Sequence, residues 1–226
     1  KDSTDVFMAT VIFRWFNYIE SGRTLLKHDL IRNWDRKKAI EEISKQDKWV
    51  TGAYIIKTPN RMNKVTGVAE CVSHMWKDKE YLIDHMDSVT TLEEAWHVLR
   101  DYPYMGPFMA YEVVTDLRHT YVLENATDIM SWANPGPGAM RGLNRLTGRE
   151  LGFCKRSHPW NKEMQELLKI AHERLNNNII DLNKFEMREV EGGLCEFDKY
   201  SRTVKKQGTT RSIYRHNKDL PLVEGL

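Results

Sequence analysis

The sequence of 226 residues is poor in cysteine, in long apolar runs and in the alternating pattern that marks β-strands. Its three cysteines, Cys71, Cys154 and Cys195, stand far apart. No Cys-x-x-Cys or His-x-x-x-His spacing accompanies them, which argues against a zinc ribbon and against a disulfide framework. A reducing cytoplasm suits such thiols. The longest apolar stretches, such as Val11-Ile12-Phe13 and Ala53-Tyr54-Ile55-Ile56, fall far short of the roughly 20 residues needed to span a bilayer. No membrane partner is expected. The chain opens on Lys1, which reads as a trimmed start, and shows no signal-peptide pattern, so export is not expected. No glycine-rich loop is followed by Gly-Lys-Ser/Thr, which disfavours a Walker A nucleotide site.

Periodicity supplies the positive signal. Apolar residues recur at helical spacing from Val6 to Ile19, and again at Met164, Leu167, Leu168, Ala171 and Leu175. Thr91-Leu92-Glu93-Glu94 has the form of a capping box, so a helix is expected to start there and stop near Asp101. Pro103, Gly106 and Pro107 then punctuate the chain, and a second helix carries Phe108 to Leu117. Asn134-Pro135-Gly136-Pro137-Gly138 is the strongest breaker and feeds a helix over 139–146. Gly192-Gly193 predicts a kink or a break within the helical stretch from Leu182 to Tyr200. Only 49–57 reads as an extended segment. The expected fold is mainly α: one helical domain over 1–200, then a basic tail over 201–226.

Charge is unevenly placed. The net charge is +2, yet Lys199 to Lys218 carries seven Lys/Arg and no acid, leaving the rest of the chain acidic. Arg202, Lys205, Lys206 and Arg211, with Tyr200 and Tyr214 among them, suit a strand of nucleic acid, because rings stack on bases while cations track phosphates. A solvated tail would have the same composition.

Three segments are candidates for chemistry. The turn from Tyr102 to Pro107 joins two helices and leaves the amides of the second helix's first turn facing outward, a sequence-independent phosphate site that includes Tyr104 and Gly106. Arg141 and Arg145 lie one helical turn apart after Gly136 and Gly138, a spacing suited to a pyrophosphate or to two DNA phosphates. Glu196, Asp198 and Lys199 crowd the last helical stretch.

Tyr102 to Ala110 resembles the helix-hairpin-helix of DNA base-excision glycosylases, although Tyr104 replaces the first hairpin glycine. Those enzymes place an aspartate about twenty residues beyond the hairpin. Asp128 matches as the central catalytic carboxylate, with Asp116 its competitor; a helix cap is the plainer reading of Asp128. Many glycosylases add a lysine within the hairpin, and 102–107 contains none.

Five blocks in order, Phe13-Arg14-Trp15-Phe16-Asn17, Thr51-Gly52-Ala53-Tyr54-Ile55, Gly106-Pro107-Phe108-Met109-Ala110-Tyr111, Gly136-Pro137-Gly138-Ala139-Met140-Arg141-Gly142 and Leu194-Cys195-Glu196-Phe197-Asp198-Lys199-Tyr200, resemble the phage α-glutamyl/putrescinyl thymine pyrophosphorylase family, also described as amino acid:DNA transferases. A related helical domain accompanies 5-hydroxymethyluracil DNA kinases. The resemblance implies a glycosylase-like fold that flips a nucleotide out of duplex DNA. Its implied substrate is activated 5-hydroxymethyl-deoxyuridine, whose phosphate or pyrophosphate an amino acid or polyamine displaces. Arg141 and Arg145 would then neutralise the leaving group, Asp128 or Asp116 would serve the incoming amine, and Arg14 and Asn17 would line the pocket. Magnesium is an optional companion of the phosphates. The location implied is the cytoplasm of an infected bacterial host. The alternatives are a DNA base glycosylase and a DNA-binding helical module beside a separate kinase.

Overall fold

The computed structural model describes residues 3–52, 56–175 and 181–208. Within them the chain forms ten α-helices and no strand: α1 (Ser3–Phe16), α2 (Ile19–Lys27), α3 (Arg36–Ser44), α4 (Lys64–Lys77), α5 (Lys79–Ser88), α6 (Leu92–Arg100), α7 (Gly106–Leu117), α8 (Pro137–Thr147), α9 (Trp160–Arg174) and α10 (Met187–Val204). The mainly α expectation holds. The described parts of 49–57 are irregular, and 53–55 lie outside the described residues. No described helix is long and apolar enough to cross a membrane.

Two helices carry the core. In α1, Phe7, Met8, Val11, Ile12, Trp15 and Phe16 are buried. In α7 every residue from Met109 to Thr115 is buried, as is Leu117, because the helix is wedged between α1 and α6. Each large side chain so buried stabilises the fold by about 1.5–3 kcal/mol relative to exposure. Against these helices pack α4 and α5, while α8, α9 and α10 close the other end.

The helical pattern expected through Ile19 is interrupted. Asn17 takes φ 47°, its N–H donates to the Phe13 carbonyl, and the chain restarts as α2 two residues later. Asparagine tolerates the left-handed region better than most residues, so it ends a helix whose apolar stripe continues. The expected capping box is present: Thr91 accepts from the Glu94 N–H, and the Glu94 carboxylate accepts from the Thr91 N–H. Hydrogen bonds from the Thr90 N–H first, and from the neighbouring Thr91, hold the Glu94 carboxyl below its ordinary value.

The break expected at Gly192-Gly193 does not occur, and α10 runs as one helix to Val204, past residue 200. Tertiary packing overrides the propensity cost of about 1 kcal/mol per glycine. Gly138 of α8 sits against Cys195, where an added Cβ would come within 2.5 Å of its Sγ. At Gly142 the added Cβ would collide with the Leu194 backbone. The small residues of α8 thus let the two helices approach almost backbone to backbone, directly beside the two glycines of α10.

Candidate functional site

The hairpin expected between two helices is present. α6 ends at Arg100, Asp101 caps it, and Tyr102 to Met105 turn the chain into α7, with the Met105 N–H donating to the Tyr102 carbonyl. Tyr104 takes φ 63° and Gly106 φ 58°, so the turn needs the left-handed region twice, and tyrosine supplies one of the two. A non-glycine residue there costs about 1–2 kcal/mol. Tyr104 and Phe108 stand about half exposed at the tip while Met105 is buried beneath them. Trp96 of α6 braces the hairpin, donating its indole N–H to the Pro107 carbonyl at 2.9 Å. Asn134 donates to the same oxygen.

A chain of rings and cations runs inward from this brace. Arg100 lies over the Trp96 ring at 4.6 Å, Trp96 meets Trp132, Trp132 meets Tyr111 edge-on, and Arg188 lies 5.3 Å above Tyr111. Arg188 enters a charged network. It donates to Glu112 at 3.0 Å and to Glu191 at 2.7 Å. Arg14 of α1 donates to the other Glu112 oxygen and, in a two-pronged pair, to Asp116. Glu112 and Glu191 are buried. Burial pushes the Glu191 carboxyl up, more than the neighbouring Arg188 charge and the Gly136 N–H lower it. Glu112 and Arg188 escaped the sequence reading, although one acid inside the apolar run Met109 to Val114 is the signature of a buried, paired carboxylate.

The two catalytic candidates have defined partners. Asp128 accepts from the Leu92 N–H at 2.7 Å and from the Glu93 N–H at 3.1 Å, so its carboxylate caps α6 from across the fold. It is a cap, but of a helix 36 residues away rather than of the segment that follows it. Asp116 is held by Arg14 of α1, and Arg118 pairs with Glu186 at 2.6 Å. Neither carboxylate stands free in this conformation. Arg14 lies in the charged network, while Asn17 terminates α1.

The segment after Asn134 folds as a packing element. Gly136 donates its N–H to Glu191, and Gly138 provides the close approach to Cys195, so these glycines serve the α8–α10 contact. Arg141 and Arg145, expected to face a pyrophosphate or two DNA phosphates, converge on a carboxylate of the chain itself, Asp198. Arg141 Nε donates to one carboxylate oxygen and Arg145 Nε to the other, both at 2.9 Å, and Arg202 Nε lies 3.2 Å away. Asp198 is fully buried. Burial alone would raise its carboxyl, but the hydrogen bonds from Arg145 and Arg141 outweigh it and hold the group below its ordinary value. Glu196 and Lys199 form an exposed pair with each other on the same helix. Lys205 and Lys206 are exposed at its end, and Arg211 lies outside the described residues.

Among the described residues no three His, Cys, Asp or Glu side chains are grouped to hold a metal ion. Cys71, Cys154 and Cys195 are free thiols, and burial pushes Cys71 up to about 12.

A family model described as the helical domain of 5-hmdU DNA kinase matches residues 1–210. No curated protein and no solved structure matches the chain. The match bears out the kinase-associated branch of the resemblance and covers the hairpin, the charged network and all three arginines on Asp198. The chain belongs to the 5-hmdU DNA kinase helical-domain family.

Proposed function

We propose that this chain grips DNA carrying 5-hydroxymethyl-deoxyuridine and serves the phosphoryl chemistry of that base, with double-stranded DNA as its partner. The carrying observation is the hairpin between α6 and α7, which takes the left-handed region at Tyr104 and Gly106 and exposes the rings of Tyr104 and Phe108 at the start of α7. Amides at a helix start favour phosphate oxygens without reading sequence, so the module holds the strand and leaves base recognition to the modified position. Lys205 and Lys206 add exposed positive charge at the C-terminal end of α10. Magnesium would help to neutralise the substrate phosphates.

Fluorescence anisotropy with matched duplexes containing thymine or 5-hydroxymethyluracil tests this reading. Binding should weaken linearly with the logarithm of salt concentration, and Tyr104→Ala should weaken it further while the fold is retained. Affinity that ignores both salt and Tyr104 would overturn it.

A second reading, displacement of the activating phosphate by an amino acid or polyamine, is favoured by the convergence of Arg141 and Arg145. In that reading Asp128 or Asp116 would have to leave its present partner to serve the amine. Nucleoside mass spectrometry after incubation with pyrophosphorylated 5-hydroxymethyluracil DNA and a mixture of amino acids and polyamines decides it. Absence of any amine adduct sets it aside.

A further inference from the structure

We propose that Arg141, Arg145 and Arg202, gathered on Asp198, form a phosphate-binding site whose ligand is a phosphoryl group of the DNA substrate. This deepens the DNA-modification reading by assigning a place to the phosphate.

Three guanidiniums meet one carboxylate, and among the described residues no second acid reaches any of them. A structural tie between α8 and α10 needs one arginine. Each additional one brings like-charge repulsion into a partly buried space, where charges interact more strongly than in water. The cluster therefore carries an uncompensated positive charge that an anion would neutralise.

Geometry supports the same conclusion. Arg141 and Arg145 hydrogen-bond Asp198 through Nε rather than through their terminal nitrogens, and Arg202 also approaches it by Nε, at 3.2 Å. Arg145 spends Nη1 on Gln207, and its buried Nη2 has no hydrogen-bond partner. Arg145 is only 6% exposed, whereas Arg141 and Arg202 are 34% and 29% exposed, so the cluster has a buried floor and an accessible lip. Arg202 Nε is itself buried and makes no aligned hydrogen bond. Paired N–H groups at fixed spacing match phosphate oxygens, a match that lysine does not reproduce. Asp198 acts as a positioning residue: it fixes Nε of Arg141 and of Arg145 and leaves the terminal nitrogens of Arg141 and Arg202 for the ligand.

The phosphoryl group has two sources, the phosphorylated hydroxymethyl group with its free pyrophosphate equivalent, or a backbone phosphodiester. Calorimetric titration of the full chain with inorganic pyrophosphate, paired with anisotropy on an unmodified duplex, separates them. Arg141→Gln, Arg202→Gln and Arg141→Lys are measured beside the native protein, with thermal melting to verify folding. Pyrophosphate binding that weakens at least about tenfold in each variant, with duplex affinity little changed, assigns the site to the activated base. Weak pyrophosphate binding with a loss of duplex affinity in the same variants assigns it to the backbone. Variants that melt at a lower temperature while both affinities stay native overturn the proposal, since the arginines then serve only to join helices. Tyr104→Ala, which should weaken duplex and spare pyrophosphate, keeps failure of the hairpin reading distinct from failure of this site.

Discussion

Asp198 of α10 holds Arg145 of α8 by a 2.9 Å hydrogen bond with both groups shielded from water, so one carboxylate joins the two helices that meet across Gly138 and Gly142. Asp198→Asn removes the counter-charge and leaves three arginines facing one another. Chemical denaturation at neutral pH should show a loss of about 3–5 kcal/mol, the cost typical of stranding a buried partner. The pH dependence follows from the lowered carboxyl. Its contribution is fully present above the unfolded value near ~3.9 and disappears as pH falls through the lower folded value, so native and variant stabilities should converge in acid. Parallel curves down to that range would show that the pair contributes nothing through Asp198.

The glycines of the α8–α10 contact should divide sharply. Gly142→Ala places a methyl against the Leu194 backbone, which cannot yield, and a loss of several kcal/mol is expected, at or above the ~1–3 kcal/mol of ordinary overpacking. Gly192 and Gly193 face open space within an intact helix. Alanine at either position should stabilise by about 0.5–1 kcal/mol through helix propensity. Thermal melting of the three variants checks the ordering, and destabilisation by Gly192→Ala would show that α10 needs its flexibility.

Tyr104 sets stability against binding. Tyr104→Gly relieves left-handed strain of about 1–2 kcal/mol and gives back part of it as chain entropy, so a gain of about 0.5 kcal/mol is expected. Duplex affinity should nevertheless fall, because the ring at the hairpin tip is gone. Gly106→Ala meets no neighbouring atom, yet should cost about 1 kcal/mol from backbone strain alone. Denaturation and anisotropy on the same samples give both numbers, and unchanged affinity in Tyr104→Gly would remove the ring from the interface.

Asp128 should behave as a cap. Asp128→Ala leaves the Leu92 and Glu93 amides without an acceptor and should cost about 0.5–2 kcal/mol, whereas Asp128→Asn keeps one acceptor and should cost less. Single-turnover measurement of base modification complements the stability data. A drop of about 10²–10⁴ in Asp128→Asn with native stability would return the residue to the chemistry.

Local signals in the chain were sufficient for the elements that depend on near neighbours. The Thr91–Glu94 box, the stop at Asp101, the turn around Gly106 and the start of α8 after Asn134 are all written within four or five residues, the range over which caps and turns act. The one-turn spacing of Arg141 and Arg145 put both on one face of α8, while the acid that both reach, Asp198, comes from α10. What the helices do to one another was decided only in three dimensions. Gly192-Gly193 reads as a break, and the break is cancelled by α8 packing against the next turn of α10. Asp128 reads as a free acid or a cap of its own segment, and it is consumed by amides of a helix far away in sequence. Glu112 looks like an anomaly on an apolar face until Arg14 and Arg188 arrive from opposite ends of the chain to satisfy it. Propensity and capping are short-range energies of about 1 kcal/mol, while burial of a charge or of a helix face is governed by whichever distant group packs against it.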